Sequence, residues 1–250
     1  MDNAIRSLIF RLETIGDVTA DDRAALASIP LRIASVPKGG EIVADGEMST
    51  SCCLVVDGYI YRSKMRPDGK RQIFSLHPPG DIPDLHSLHL PRMDHNLAAM
   101  SDCTVARLAH ADVKAVIEER PRLGSLLWRD TLIDAAAFRA WMLMLGAAEA
   151  LERMAHLFCE AYTRASMAGL NEGNTFRLPL TQTDLSDILG ISLVHANRTL
   201  QDLRSRGLMD FDQQVVTIIH WDHLRALAQF DPSYLHYLDS RVGRIDPAKM

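Results

Sequence analysis

Long apolar runs are missing from this 250-residue chain. Without a stretch of about 20 apolar residues, a membrane-spanning helix is not expected. The opening "MDNAIRSLIFRLETIGDVTADD" has acids on both sides of its apolar residues and no apolar block. It reads as cytoplasmic, not as a secretory signal. Paired cysteines are missing too. Cys52, Cys53, Cys103 and Cys159 form no C-x-x-C motif, and neighbours such as Cys52 and Cys53 project to opposite faces of a strand. A zinc or iron–sulfur cluster is therefore unsupported, and small buried thiols are expected, with redox sensing as the alternative. Excess positive charge is absent as well. The formal charge is −5, and the 171–220 segment sets Glu172, Asp184, Asp187, Asp202, Asp210 and Asp212 against only Arg177, Arg198, Arg204 and Arg206. Any nucleic-acid contact must come from local clustering.

What is present changes character along the chain. The first 30 residues look helical, with Ile5, Leu8, Ile9 and Leu12 on one face. Residues 31–110 hold short β-type runs, "LRIASV", "EIVA", "SCCLVVDGYIYRSKM", "RQIFSLH" and "LAAMSDCTVARLA". Turn signals separate them at Pro37-Lys38-Gly39-Gly40, Asp45-Gly46, Asp57-Gly58 and Pro67-Asp68-Gly69. Such spacing predicts an all-β roll, barrel or sandwich. "ADVKAVIEER" then reads as a short helix, and Pro121 opens a longer one. Leu123, Leu126, Leu127, Ile133, Ala137, Ala140, Trp141 and Met144 make a stripe along it up to Gly146. A stripe of this kind either packs on its own domain or pairs with a second copy. A further helix spans about 148–168, and "LNEGNTFRLPL" follows as a polar connection.

Residues 180–208, "LTQTDLSDILGISLVHANRTLQDLRSRGL", contain two short helical patterns broken at Gly190. Thr181 caps the first with Asp184 three residues on, and Ser192 caps the second. Leu185, Ile188 and Leu189 face inward, as do Ala196, Thr199, Leu200 and Leu203. Leu193, Val194, His195, Asn197, Arg198 and Gln201 are left wholly or partly outward. Two helices joined by a Gly-bearing turn form a helix-turn-helix, whose second helix enters the major groove. Arg198 suits guanine, Asn197 or Gln201 adenine, and Leu193 and Val194 the thymine methyls. Thr181, Gln182 and the capped helix start suit phosphate. A strand, a turn at Asp212-Gln213-Gln214 and a returning strand then supply a wing, with Arg204 and Arg206 near the DNA backbone. The competing reading is an ordinary helical hairpin in which Arg198 is merely solvated.

With these motifs in order, nearly the whole chain resembles the Crp/Fnr family of bacterial transcription regulators. "VPKGGEIVADGEMSTSCCLVVDGYIYRSKMRPDGKRQIFSLHPPGDIPDLHSL" is similar to the family's cyclic-nucleotide-binding-type β-roll. The stripe after Pro121 resembles its dimer helix, residues 181–220 its winged helix-turn-helix, and "WDHLRALAQFDPSYLHYL" the tails of alphaproteobacterial members. The resemblance implies an α+β fold: a sensor-like roll with N-terminal helices over 1–118, a dimerisation helix over 119–146, and a DNA-binding domain with a helical tail over 147–250. It also implies a homodimer acting on an inverted repeat, with RNA polymerase as a further partner, no enzymatic activity and no cofactor. Departures narrow this. Members that bind cyclic AMP carry a Gly-Glu pair and an Arg-Ser pair, where this chain reads "GDIPDLHSL" and "PRMDHNLAAM". Asp81, Asp84 and Asp94 oppose a cyclic phosphate and only Arg92 is nearby, so no cyclic nucleotide is expected. No cysteine precedes Cys52, which argues against the oxygen-sensing branch. Leu193-Val194 stand where the best-known members have Arg-Glu, so their preferred DNA sequence does not transfer.

One feature competes with this reading. "HPPGDIPDLHSLHLPRMDH" gathers His77, His86, His89 and His95 with three aspartates. On a β-barrel such ligands would suggest a cupin-like metalloprotein. The irregular spacing favours exposed loop histidines and no metal. A regulator of the same fold that needs no ligand is the remaining alternative.

Overall fold

The computed structural model describes residues 3–238 and divides into two compact units, Met1–Met65 with Phe74–Ala135, and Arg66–Ile73 with Ala136–Met250. In the first, α1 (Asn3–Glu13) buries Ile5, Leu8, Ile9 and Leu12, the face expected from their spacing. α2 (Ala20–Ala27) begins at a capping box in which Thr19 and Asp22 satisfy each other's backbone donors.

Seven strands follow: β1 (Leu31–Val36), β2 (Glu41–Val43), β3 (Ser51–Asp57), β4 (Ile60–Met65), β5 (Arg71–His77), β6 (Asn96–Ala99) and β7 (Cys103–Ala109). They form two antiparallel sheets, ordered β1-β7-β3 and β2-β6-β4-β5. Both sheets supply the core: Ile42 and Val43 meet Cys53, Val55, Ile60, Leu97, Ala99 and Val105. Of the expected turn glycines, Gly39, Gly46, Gly58 and Gly69 lie at positive φ and Gly40 does not. At Gly58 the need is strictest, because a Cβ would stand 2.5 Å from the Asp102 carbonyl oxygen. All four cysteines are free and buried, and burial raises the pKa of every thiol. The expectation of buried thiols is met, and these thiols are poor nucleophiles in the folded chain.

α3 (His110–Glu119) leads to α4 (Pro121–Ala147). Burial divides the stripe expected to pair two copies. Leu123, Leu127, Ile133 and Ala137 are buried within the chain itself, and Leu126, Ala140, Trp141 and Met144 are half-buried. At about 100° per residue all eight fall on one side of the helix. The opposite side carries Trp128, Leu132, Met142 and Leu143 in the open, with Trp128 58% and Met142 72% exposed. Four residues of the stripe thus lie in the chain's own core, and the other four are partly covered.

In the second unit α5 (Ala150–Met167) is the central support. It buries Met154, Phe158 and Tyr162; the Phe158 ring meets Phe211 at 5.6 Å, and the Tyr162 ring meets Phe176 at 5.9 Å and Trp221 at 5.2 Å. Its Glu160 carboxylate is buried but fully engaged. Oε2 accepts from Trp141 Nε1 at 2.7 Å and from Tyr234 Oη at 2.6 Å, while Arg164 lies 3.5 Å from Oε1. "LNEGNTFRLPL" is not a plain connection. It forms a hairpin, β8 (Asn171–Glu172) and β9 (Thr175–Arg177), joined to β10 (Met209–Asp212) and β11 (Val215–Ile218) in the order β10-β11-β9-β8. The short strand runs gave no alternating pattern to see, and Phe176 is its only buried anchor. α8 (Trp221–Leu227) and a 3-10 turn at Pro232–Leu235 complete the unit. No helix among the described residues is long and apolar enough to cross a membrane.

Candidate nucleic-acid interface

Two helices carry the site, α6 (Gln182–Leu189) and α7 (Leu193–Ser205). Thr181 Oγ1 accepts from Asp184 N at 3.1 Å, and Asp184 Oδ2 accepts from Thr181 N at 2.9 Å, a complete capping box. α6 stops because Gly190 turns left-handed at φ 66°, a conformation costly for other residues. Two residues later Ser192 Oγ accepts from His195 N at 3.2 Å and restarts the helix. Leu185, Ile188 and Leu189 on one helix and Ala196, Thr199, Leu200 and Leu203 on the other are buried, as their spacing implied.

The outward face of α7 is open. Leu193 is 44% and Val194 70% exposed, and Ser192, His195, Arg198 and Gln201 are exposed with them. Thr181 and Gln182 are exposed at the start of α6. Arg198 has no ion pair or hydrogen-bond partner among the described residues, so its fork is available for a base edge. Asn197 is different. It is half-buried, with Oδ1 shut off from solvent and unpartnered, which leaves Gln201 as the presented amide.

Pairing also resolves the unfavourable charge of this segment. Arg71 binds Asp184 at 2.6 Å and Asp187 at 2.8 Å, a residue that sequence spacing could not connect to them. Arg204 lies 2.7 Å from Asp210, and Arg206 grips Asp202 through both carboxylate oxygens at 2.8 and 3.1 Å. Four of the six acids are thereby matched, whereas Arg198 is not. The expected phosphate contact from Arg204 must compete with Asp210, since one edge of its guanidinium is already engaged.

Comparison with known proteins gives the same order of parts. A cyclic nucleotide-binding domain model matches residues 33–120, and a Crp-like helix-turn-helix domain model matches residues 152–227. The chain belongs to the Crp/Fnr family. Like other members it is a DNA-binding transcription regulator. It is 28% identical to the transcriptional activator protein FnrL of Cereibacter sphaeroides, over 70% of this chain and 71% of the relative. With the nitrogen fixation regulation protein FixK of Bradyrhizobium diazoefficiens it shares 26%, over 76% of this chain and 79% of that one. The solved structure of FixK2 from Bradyrhizobium japonicum superposes with a TM-score of 0.72 at 26% identity, covering 80% of this chain and 98% of FixK2.

Membership raises the question of a cyclic nucleotide, and the roll of this Crp/Fnr protein does not fit one. Cys52, Cys53, His77 and Asp84 are all buried in the roll. The buried cation is Arg62, on β4, not the exposed Arg92 that sequence proximity suggested. Its guanidinium is committed to Asp134 at 2.6 Å and to the Pro83 carbonyl. Burial pushes Asp84 up to about 6, and its Oδ2 has no partner among the described residues. Burial, then the Arg62 charge, holds His77 down to about 4. A phosphate brought here would meet two aspartates and a neutral imidazole.

The histidine loop also differs from expectation. Only His89 is exposed; His86 is half-buried, and His77 and His95 are buried. His77 bridges Ser75 Oγ at 2.8 Å and Asp81 Oδ2 at 3.1 Å. The loop folds back on the roll, which its polar composition concealed.

Proposed function

We propose that the chain works in the cytoplasm as a homodimer that binds an inverted-repeat DNA site, without an enzymatic step. The carrying observation is the open face of α7, where Arg198, without a partner among the described residues, stands beside exposed Leu193, Val194, His195 and Gln201. Thr181, Gln182 and Ser192 hold phosphate at the two helix starts, and Arg204 joins them by exchanging Asp210 for the DNA backbone. Residues 1–118 form the sensor-like part, 119–146 the pairing helix and 147–250 the DNA-binding part. Trp128, Leu132, Met142 and Leu143 are the pairing face, because they are the apolar side of α4 left uncovered. Relatives bearing the name activator support activation through RNA polymerase.

The commitment of Arg62 to Asp134 and the buried Asp84 favour a second feature, output that does not wait for a nucleotide. DNA affinity of the purified chain is then unchanged by cyclic AMP or cyclic GMP, since an effector must bind two states unequally to shift them.

Selection of bound sequences from random duplexes tests the reading. The expected product is an inverted repeat with half-sites about 34 Å apart. Arg198→Ala then weakens the best site by about 1–3 kcal/mol and relaxes preference at one base pair. Absence of enrichment, or a site without two-fold symmetry, overturns the proposal.

A further inference from the structure

α6 is only 8 residues long, and an isolated helix of about two turns is not stable in water. Both of its ends are held by two adjacent residues that lie 113–116 positions earlier in the chain. At the start, Asp184 completes the capping box through Oδ2, while its Oδ1 accepts from Arg71 Nη2 at 2.6 Å. The same guanidinium donates from Nε to Asp187 Oδ2 at 2.8 Å. At the finish, Gly190 N and Ile191 N both turn back to the Ser186 carbonyl. The next two carbonyls, those of Asp187 and Ile188, accept from Gln72 Nε2 at 2.7 and 3.1 Å. Such terminal carbonyls lack partners inside their own helix, so Gln72 acts as a cap. It also stands against the turn, since a Cβ on Gly190 would lie 3.6 Å from its Oε1. Residues 66–73 group with the helix-turn-helix unit and close into a hairpin tip, where Arg66 N donates to the Lys70 carbonyl at 2.8 Å.

We propose that Arg71 and Gln72 are positioning residues for DNA reading: the tip of the β4–β5 hairpin clamps α6 and thereby fixes the stance of α7. This rests on the reading of α7 as the helix that meets base edges. Only Gly190, Ile191 and Ser192 separate the two helices, which pack on each other, so α7 follows any displacement of α6. A hydrogen bond from Arg198 to a base weakens steeply once its distance and angle drift. The clamp is sheltered enough to prevent that drift. The Asp184 side chain is 8% and that of Asp187 21% exposed, and charge-assisted contacts of this kind are the strong ones. Arg71 spends its fork on the two aspartates, so its part is to place the reading face and not to bind phosphate. Arg71 and Gln72 also open β5, so one continuous stretch of chain serves both a strand of the roll and the support of the reading helices.

The test compares affinity for the selected inverted repeat with affinity for a random duplex, using the full chain in every variant. Arg71→Ala should lower that ratio about 5–30-fold, the range expected when a coupled support is lost. Gln72→Ala leaves both ion pairs in place and should lower it about 2–10-fold, which keeps the proposal testable if Arg71→Ala fails to fold. Asp187→Asn should lower the ratio alone but add little on top of Arg71→Ala, because both break the same contact; additive losses overturn the clamp. A lower denaturation midpoint with an unchanged ratio assigns the hairpin to stability alone and overturns the proposal. So does a salt slope reduced by about one in Arg71→Ala, which would make Arg71 a phosphate contact. Arg198→Ala separates the clamp from the reading beneath it. A ratio lowered in Arg198→Ala but in neither hairpin variant overturns the clamp alone, whereas the reverse supports the clamp and overturns the reading.

Discussion

His77 shows how a single buried side chain sets a pH response. In the folded chain it stays neutral down to about pH 4, held there by burial and then by Arg62. In the unfolded chain its pKa returns to about 6.5. Below that value the unfolded state binds the extra proton, so stability fully present above pH 6.5 declines as pH falls and is lost by about pH 4. The slope is about 1.4 kcal/mol per pH unit, or about 3 kcal/mol in all. Asp84 works the other way, since a carboxyl raised to about 6 favours the folded state as pH falls below 6. Comparison with His77→Gln removes that opposing contribution, because Asp84 is the same in both chains. Between pH 7.5 and 4.5 the parent should lose about 2–3 kcal/mol more than the variant in urea denaturation. Equal losses would show that His77 is not the neutral buried group.

At the scale of elements, legibility followed locality. Thr181, Gly190 and Ser192 define their helix ends through contacts within a few residues, so both helices and their inward faces could be read directly. β8 and β9 could not, since their order depends on pairing Phe176 with Val216, forty residues away. Glu160 likewise reads as an ordinary helix-surface acid until Trp141 and Tyr234 are brought to it from distant segments. The wing turn lies between these cases. Its place was evident, but its strain was not: Gln213 and Gln214 both have positive φ, at 46° and 65°, as a two-residue hairpin turn of this twist demands. Non-glycine residues there cost about 1–2 kcal/mol each. Gln214→Gly should therefore raise stability by about 0.5–1 kcal/mol after its own entropy cost in the unfolded chain. Gln214→Val should lower it, because a β-branched side chain tolerates positive φ poorly. Chemical denaturation of the two variants checks the sign, and the same order in both would rule out strain at this turn.

For the whole molecule the decisive contrast is between the two sides of α4. Its inward stripe was the clear pattern because buried residues are the most uniformly apolar; Trp128, Leu132, Met142 and Leu143 were easy to miss among Arg129, Arg139 and other polar neighbours. Leu132 and Leu143 lie about three turns apart, Trp128 and Met142 about four, so the four share one face. Charge placed there should separate subunits without disturbing either fold. The double variant Leu132→Glu and Leu143→Glu is expected to sediment as a monomer with an unchanged circular dichroism spectrum. Its affinity for a full inverted repeat should drop by about 10²–10⁴, the advantage of linking two half-site contacts, while binding to an isolated half-site stays near the parent's monomeric value. Leu127→Ala makes the complementary change on the covered side. It should cost about 2–5 kcal/mol of folding stability by leaving a cavity, yet keep the surviving folded chains paired. A dimer that survives both glutamates would return pairing to some other surface, and with it the geometry that sets two copies of α7 one helical turn apart on DNA.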